Sequence, residues 1–268
     1  KQLEQTPRLR ELFKYLELNY ANWSSFAIEN SPFGFFCSYW PGEISLAAGM
    51  APFRVFPLSG THNPPLLPAY CCTVAKGCLE LGQSIKENPF NSADLGITGF
   101  AHSCDTMQCL SQIWLNTINE KTITFIPPIN LAASGAVDYT IAELKRIISE
   151  INTFRQIEIK KDEIKKAIIL TNKIRKIIER LEALRPYYPS GFISSLVRAA
   201  QLAPPTKYIE IMKENLPLLE QVPALKSNRE EKTRLLISGA VFENEDLHNL
   251  LEDLGGEWLS MTAAAVID

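Results

Sequence analysis

Three of the six cysteines fall within one short stretch, AYCCTVAKGCLEL, from Ala69 to Leu81. Two adjacent thiols with a third six positions on could hold a soft metal, cycle between thiol and disulfide, or line the buried face of a helix. Spacing separates the three. A helix beginning near Thr73 puts Val74, Cys78, Leu81 and Ile85 on one face, which predicts Cys78 as a small core hydrophobe. Cys72 then sits at the amino end of that helix, where free N–H groups and the macrodipole favour an anionic sulfur. Cys71 stays undecided: beside Cys72 it cannot easily serve the same small ion, but it is available as a spare ligand.

The stretch LGITGFAHSCDTMQCLSQIW gives Cys104 the same setting. A strand ending near Ala101 is followed by Cys104, then by Asp105 as the expected N-cap of a helix carrying Met107, Leu110 and Trp114. Cys109, inside that helix, reads as structural, and Cys37, in the strand-like run FGFFCSYW, reads as core. Cys72 and Cys104 thus both fall in loops feeding helices, and Cys104 follows the carboxyl end of a strand, the edge at which open α/β sheets bind ligands. Two thiolates do not complete a metal site. With no C-x-x-C, no H-x-x-x-H and three histidines in all, a zinc site built within the chain is not expected. Residue types alone lead to a soft-metal or redox site at the edge of an α/β sheet, incomplete within this chain.

The elements that must position these thiols alternate. After an amphipathic first helix come a strand at FGFFCSYW, a short helix at GEISLAAGM closed by Gly49, a strand at FRVFPL and a loop from Ser59 to Pro68. The helix from Thr73, a strand from Leu95 to Ala101, a helix from Asp105 to about Asn116 and a strand at TITFIP follow. That order predicts an α/β domain with a largely parallel sheet. After Asp138 helical stripes take over: Ile141, Leu144, Ile147, Ile148, Ile151 and Phe154, then Ile164, Ile168, Thr171, Ile174, Ile178 and Leu181. Further helices are expected near Gly191 to Gln201 and Tyr208 to Gln221. The polar stretch KSNREEKTR reads as a linker, and LLISGAVFENEDLHNLLEDLGGEWLSM restarts the strand, helix, strand pattern. The expected fold class is α/β with two Rossmann-like parallel-sheet domains and helical additions: residues 1–137 as the first domain with its amino-terminal helix, 138–231 as a helical segment, and 232–268 as the start of a second, truncated domain.

Bulk properties bound the function. At 268 residues, 46% hydrophobic and 21% charged, the chain is of ordinary globular composition. Its formal charge of -3 argues against a nucleic-acid partner, and no apolar run is long enough for a membrane helix. The lysines between Lys145 and Lys176 alternate with acidic residues, as on a solvated helix face. The charged amino end does not read as a signal peptide, so a cytoplasmic location is expected, where crowded cysteines favour metal or redox chemistry over disulfides. The opening residue, Lys1, suggests a piece of something longer.

In order and approximate spacing, GFFCSYWPGEISLAAGMAPFRV, LPAYCCTVAKGCLELG and HSCDTMQCLSQIW resemble three motif regions of the 2-hydroxyacyl-CoA dehydratase and benzoyl-CoA reductase family. The resemblance continues through YTIAELKRIISEINTFR, AIILTNKIRKIIERLEALR and LLISGAVFENEDLHNLLEDLGG, and so covers nearly the whole chain. It implies two Rossmann-like domains that hold a 4Fe-4S cluster through three cysteines. Cys72 and Cys104 would be the first two ligands, with the third from the family's carboxyl-terminal domain beyond Asp268. It implies an anaerobic, iron-sulfur lyase subunit acting on an acyl-CoA substrate as half of a dimer with a homologous second subunit. One electron would come from an ATP-hydrolysing iron-sulfur activator protein, and reduction of the thioester carbonyl to a ketyl radical would allow loss of the 2-hydroxyl as water. The reductase branch of the family reduces an aromatic acyl-CoA instead. Glu43 matches the acidic position of the family's Pro-x-Glu element and is the candidate catalytic carboxylate; a glutamate in the first turn of a helix is equally what the helix dipole favours. A cluster-free scaffold subunit partnering an active paralogue is the expectation from another class.

Overall fold

The computed structural model describes residues 7–16, 31–56, 66–87, 96–221, 233–239 and 245–263. The chain divides into two compact units, Leu18–Ile168 and Lys1–Glu17 with Ile169–Asp268. Helix α1 (Pro7–Leu16) belongs to the second of these.

The first unit is built on four parallel strands, β1 (Pro32–Phe35), β2 (Ala51–Arg54), β3 (Ile97–Ala101) and β4 (Thr122–Phe125), in the order β2-β1-β3-β4. Helices α2 (Gly42–Ala47), α3 (Thr73–Glu87) and α4 (Asp105–Thr117) connect successive strands, and α5 (Ala136–Arg155) follows β4. The chain goes from β1 to β2 in one direction, then crosses to β3 and β4 in the other. The switch point therefore lies between β1 and β3, where Phe33, Gly34 and Phe35 face Ile97, Thr98 and Gly99.

Both sheet faces are covered, and the central strand β3 is buried along its whole length, as in parallel sheets generally. Ala51 and Pro52 of β2 and Thr122 and Thr124 of β4, on the edge strands, are half-buried. On one face Phe33, Ile97, Ala101, Ile123 and Phe125 pack with Ile44 of α2 and with Ile147 and Ile151 of α5. Trp40 closes this layer: its indole stacks on Phe33 at 5.1 Å, donates to Ser45 Oγ at 3.2 Å, and leaves no room at Gly99, where a Cβ would fall 2.6 Å from the ring. On the other face Phe100 stacks on Phe36 at 3.9 Å, and both meet Trp114 of α4 edge-on.

Two expectations change in this unit. The run FGFFCSYW is extended only as far as Phe35; from Cys37 the chain turns, with Trp40 N–H donating to Cys37 O at 3.0 Å, because the Trp40 ring folds back onto Phe33 and Gly99. Cys37 is buried as expected, but in that turn. On α5 the stripe is only partly used: Ile147 and Ile151 are fully buried, while Ile141 and Phe154 are 45% and 41% exposed. A helix of 20 residues is about 30 Å long. Strands of four residues reach about 13 Å, so the ends of α5 overhang the sheet.

The division between units falls within α6 (Lys161–Ala183). In the second unit, residues of α6 such as Ile174, Ile178 and Leu181 form a core with Leu9 and Leu12 of α1, with α7 (Ser190–Leu202) and with α8 (Pro205–Gln221). Tyr208 is buried at its centre, its phenol pushed well above the usual range by burial and donating to Leu196 O at 3.2 Å. Exposed ion pairs of Arg8 with Glu210 and Glu214, and of Lys207 with Glu11 at 2.8 Å, run between α1 and α8; such pairs add about 1 kcal/mol or less each. Then β5 (Thr233–Gly239), α9 (Glu245–Asp253) and β6 (Gly256–Ala263) form a parallel βαβ unit, the restart that the sequence predicts. Glu252 of α9 accepts the Ser190 N–H at 2.6 Å, and the Ser190 hydroxyl lies 3.1 Å from His248 Nδ1, which ties α9 to the start of α7.

Candidate functional site at the carboxyl edge of the sheet

Helices α3 and α4 run parallel and touch at a residue pair that fixes their register. Gly82 lies against the Trp114 indole so closely that a Cβ there would be 2.4 Å from the ring, and Lys86 Nζ donates to Thr117 O near the far ends. Cys72 is ten positions before Gly82, and Cys104 is ten positions before Trp114. At 1.5 Å per helical residue both thiols therefore sit about 15 Å up from the same contact, at the same end of a parallel helix pair. That end is the carboxyl edge of the sheet. Cys104 follows β3 by three residues, and the Cys78 thiol, in the second turn of α3, donates at 3.2 Å to the carbonyl of Val55, just past β2.

Each of the two cysteines immediately precedes its helix. The Cys72 carbonyl accepts the Lys76 N–H at 3.2 Å and its sulfur accepts the Ala75 N–H at 3.4 Å, the place an N-cap side chain takes. Its loop is held by a bond from Lys76 Nζ back to Ala69 O at 2.6 Å and by a turn from Cys71 N–H to Pro68 O at 3.0 Å. Cys104 itself, in extended backbone at φ -159°, is the N-cap of α4, its carbonyl accepting Gln108 N–H at 3.1 Å. The expectation that Asp105 caps this helix is thereby corrected: Asp105 is the first helical residue, and its carboxylate lies in the first turn, where the helix dipole favours it.

Burial sorts the six thiols. Cys72 and Cys104 are exposed, whereas Cys37, Cys71 and Cys78 are buried and Cys109 is half-buried. The Cys37 sulfur contacts the Ser103 hydroxyl at 3.2 Å across the switch point. Glu43 is half-buried in the first turn of α2, which also starts at this edge, after β1 and its turn. Among the described residues, no group of three or more His, Cys, Asp or Glu side chains could hold a metal ion. The two exposed thiols, soft donors on helix amino ends that carry partial positive charge, fit part of an iron-sulfur ligand set.

Two features escaped the sequence reading. Ser103 gave no signal, because its partner is 66 residues away. The second feature is a polar knot on α5: Glu143 accepts from Arg146 Nη2 at 2.7 Å and from the Ile126 N–H at 3.1 Å, beyond the end of β4. The Arg146 guanidinium holds the Glu143 carboxyl below the usual range and is itself held above its own. Their i, i+3 spacing was the available signal. His102 Nε2 lies 2.9 Å from Ser111 Oγ, and burial lowers this imidazole from its ordinary value.

Among the described residues, no helix is long and apolar enough to cross a membrane. The chain is similar to the beta subunit of lactoyl-CoA dehydratase from Anaerotignum propionicum, 22% identical over 80% of this chain and 57% of that protein. It is likewise similar to the (R)-phenyllactyl-CoA dehydratase beta subunit of Clostridium sporogenes, at 24% over 80% of this chain and 57% of the relative. A third relative, a benzoyl-CoA reductase subunit of Thauera aromatica, is 27% identical over 81% of this chain and 56% of its own length. The chain thus spans just over half the length of these curated relatives. Residues 37–265, which include Glu43, Cys72, Cys104 and the βαβ unit, match the family model of the 2-hydroxyglutaryl-CoA dehydratase D-component, and the chain belongs to that family.

Proposed function

We propose that this chain is an iron-sulfur subunit of a 2-hydroxyacyl-CoA dehydratase-type enzyme, in which Cys72 and Cys104 are two ligands of a 4Fe-4S cluster. One observation carries the reading: among six cysteines only these two are exposed, and the in-register packing of α3 and α4 brings them to the same end of a parallel pair. The cluster would supply one-electron chemistry to a thioester carbonyl, the reducing equivalent coming from an ATP-hydrolysing activator protein.

The chain's own residues would do the rest. The α3 amino end places the Ala75 N–H against the Cys72 sulfur, and the partial positive charge of both helix amino ends would offset the negative charge of a thiolate-ligated cluster. Glu43, in the first turn of α2 at the same edge, would orient substrate or move a proton, since the 2-hydroxyl must gain one to leave as water. A homologous second subunit is the expected partner, in keeping with relatives that are named as subunits. A benzoyl-CoA reductase-type role is the second reading, favoured by the 27% identity to the benzoyl-CoA reductase relative against 22% and 24% for the two dehydratase relatives.

The test is iron and acid-labile sulfide, measured on protein purified without oxygen, with Cys72→Ala and Cys104→Ala alongside. About four of each per chain, lost in both variants, is the expected result. Folded, iron-free protein unaffected by either change would overturn the reading in favour of a cluster-free scaffold.

A further inference from the structure

The loop that presents Cys104 is three residues long, from His102 to Cys104, and hydrogen bonds tie it at each residue. The His102 N–H donates to Phe125 O at 2.8 Å and the Ser103 N–H to Ala101 O at 2.8 Å, while the Cys104 carbonyl opens α4. The Ser103 hydroxyl meets the Cys37 sulfur at 3.2 Å and the Ala101 carbonyl at 3.5 Å. A thiol and a hydroxyl can each donate and accept, so the Cys37–Ser103 contact can be made in either direction. Cys37 is itself fixed: it is 9% exposed, packed in the layer with Phe33 and Trp40, and its carbonyl accepts the Trp40 N–H in the turn that leads to α2.

We propose that Cys37 is a positioning residue, its thiol clasping Ser103 across the β1/β3 switch point so that the Cys104 loop and the turn leading to Glu43 are held as one piece. The assignment of Cys104 as a cluster ligand rests on the function proposed above; the clasp does not. Covalent neighbours transmit the constraint. Ser103 directly precedes Cys104, and freeing its side chain leaves the loop anchored by its backbone bonds and by the His102 ring, which meets Ser111 Oγ at 2.9 Å. Cys37 acts through Ser103 and is not a ligand, which separates it from the two exposed cysteines.

The experiment reads Cys104 directly. The full chain, isolated without oxygen and treated with an iron chelator so that the thiols are free in every sample, is alkylated with iodoacetamide, and each cysteine is followed by peptide mass spectrometry. Cys37→Ala and Ser103→Ala should each change the Cys104 alkylation rate by a factor of about 3–10, the equivalent of one neutral hydrogen bond, with Cys72 unchanged. Cys37→Ser, which keeps a donor, should restore the rate toward that of the unaltered protein. An unchanged Cys104 rate in both, an equal change at Cys72, or a Cys37→Ser protein indistinguishable from Cys37→Ala would overturn the proposal. Should Cys37→Ala fail to fold, Ser103→Ala removes the same contact from an exposed residue and decides alone. Iron content of the unaltered protein judges the cluster separately: iron-free protein whose Cys104 still responds keeps the clasp and loses the cluster, and the reverse pattern does the opposite.

Discussion

Gly82 and Trp114 set the spacing of α3 and α4, because a Cβ on Gly82 would lie 2.4 Å from Cη2 of a fully buried indole. That indole has nowhere to retreat: Phe36 and Phe100 meet it at centroid distances of 4.7 Å and 5.9 Å. A side chain at Gly82 must therefore push the helices apart, and overpacking of this kind costs about 1–3 kcal/mol. Gly82→Val is expected to lower stability in urea unfolding by that amount. Gly42→Ala, in a helix of the same unit where a Cβ meets nothing within 4 Å, is expected to be neutral or slightly stabilising. Equal behaviour of the two variants would contradict the account of how the cysteine-bearing helices are held.

The thiols were legible in sequence because their signals are local. A helical stripe through Val74, Cys78, Leu81 and Ile85 separated core sulfur from Cys72, although Val74 and Leu81 are only half-buried and Ala75 and Leu79 share the buried face with Cys78 and Ile85 instead. A strand followed by a helix put Cys104 at a sheet edge. Cys78 is 1% exposed and Cys37 9%, so two buried sulfurs were correctly separated from two exposed ones. What sequence could not give was register across elements. The equal offsets of Cys72 from Gly82 and of Cys104 from Trp114 acquire meaning only once α3 and α4 are known to touch there. The turn at Cys37 was missed for a related reason. Phe35, Phe36 and Trp40 all have strand propensity, and it is Gly99, some sixty residues on, that offers Trp40 a surface to fold back upon. Within Ser59 to Pro68, the expected loop lies outside the described residues for positions 59–65.

The Glu143 carboxylate makes a second mechanical prediction. It receives the Ile126 N–H at the exit of β4 and Arg146 Nε at 2.8 Å, while Arg146 also reaches the Thr124 carbonyl. Hydrogen bonds to a charged group are each worth about 1.5–3 kcal/mol when buried. Glu143→Ala should therefore destabilise by about that amount and leave Arg146 without its main partner. Glu143→Gln keeps an acceptor for Ile126 and should recover part of the loss. Hydrogen exchange at the Ile126 amide is the measurement: faster exchange in Glu143→Ala than in Glu143→Gln is expected, and indistinguishable rates would contradict it.

His248 makes stability depend on pH, with a sign that follows from its surroundings. The imidazole is 2% exposed; burial, and then the Arg185 charge, lower its affinity for a proton, while Glu252 opposes them. An unfolded histidine titrates near 6.5, so below about that pH the unfolded chain binds a proton that folded His248 resists. Its contribution is thus fully present above about pH 6.5 and is lost as pH falls toward the lowered folded value. The folded imidazole also faces the Ser190 hydroxyl at 3.1 Å, and Glu252 holds the Ser190 N–H, so protonation strains the joint between α9 and α7. Thermal midpoints measured between about pH 7.5 and 5 should fall in the unaltered protein and fall less steeply in His248→Gln. Some slope must remain, since His102, also lowered by burial, acts in the same direction. Identical slopes in the two proteins would mean that His248 is protonated as readily in the folded chain as in the unfolded one, and that the polar joint at Ser190 does not depend on a neutral imidazole.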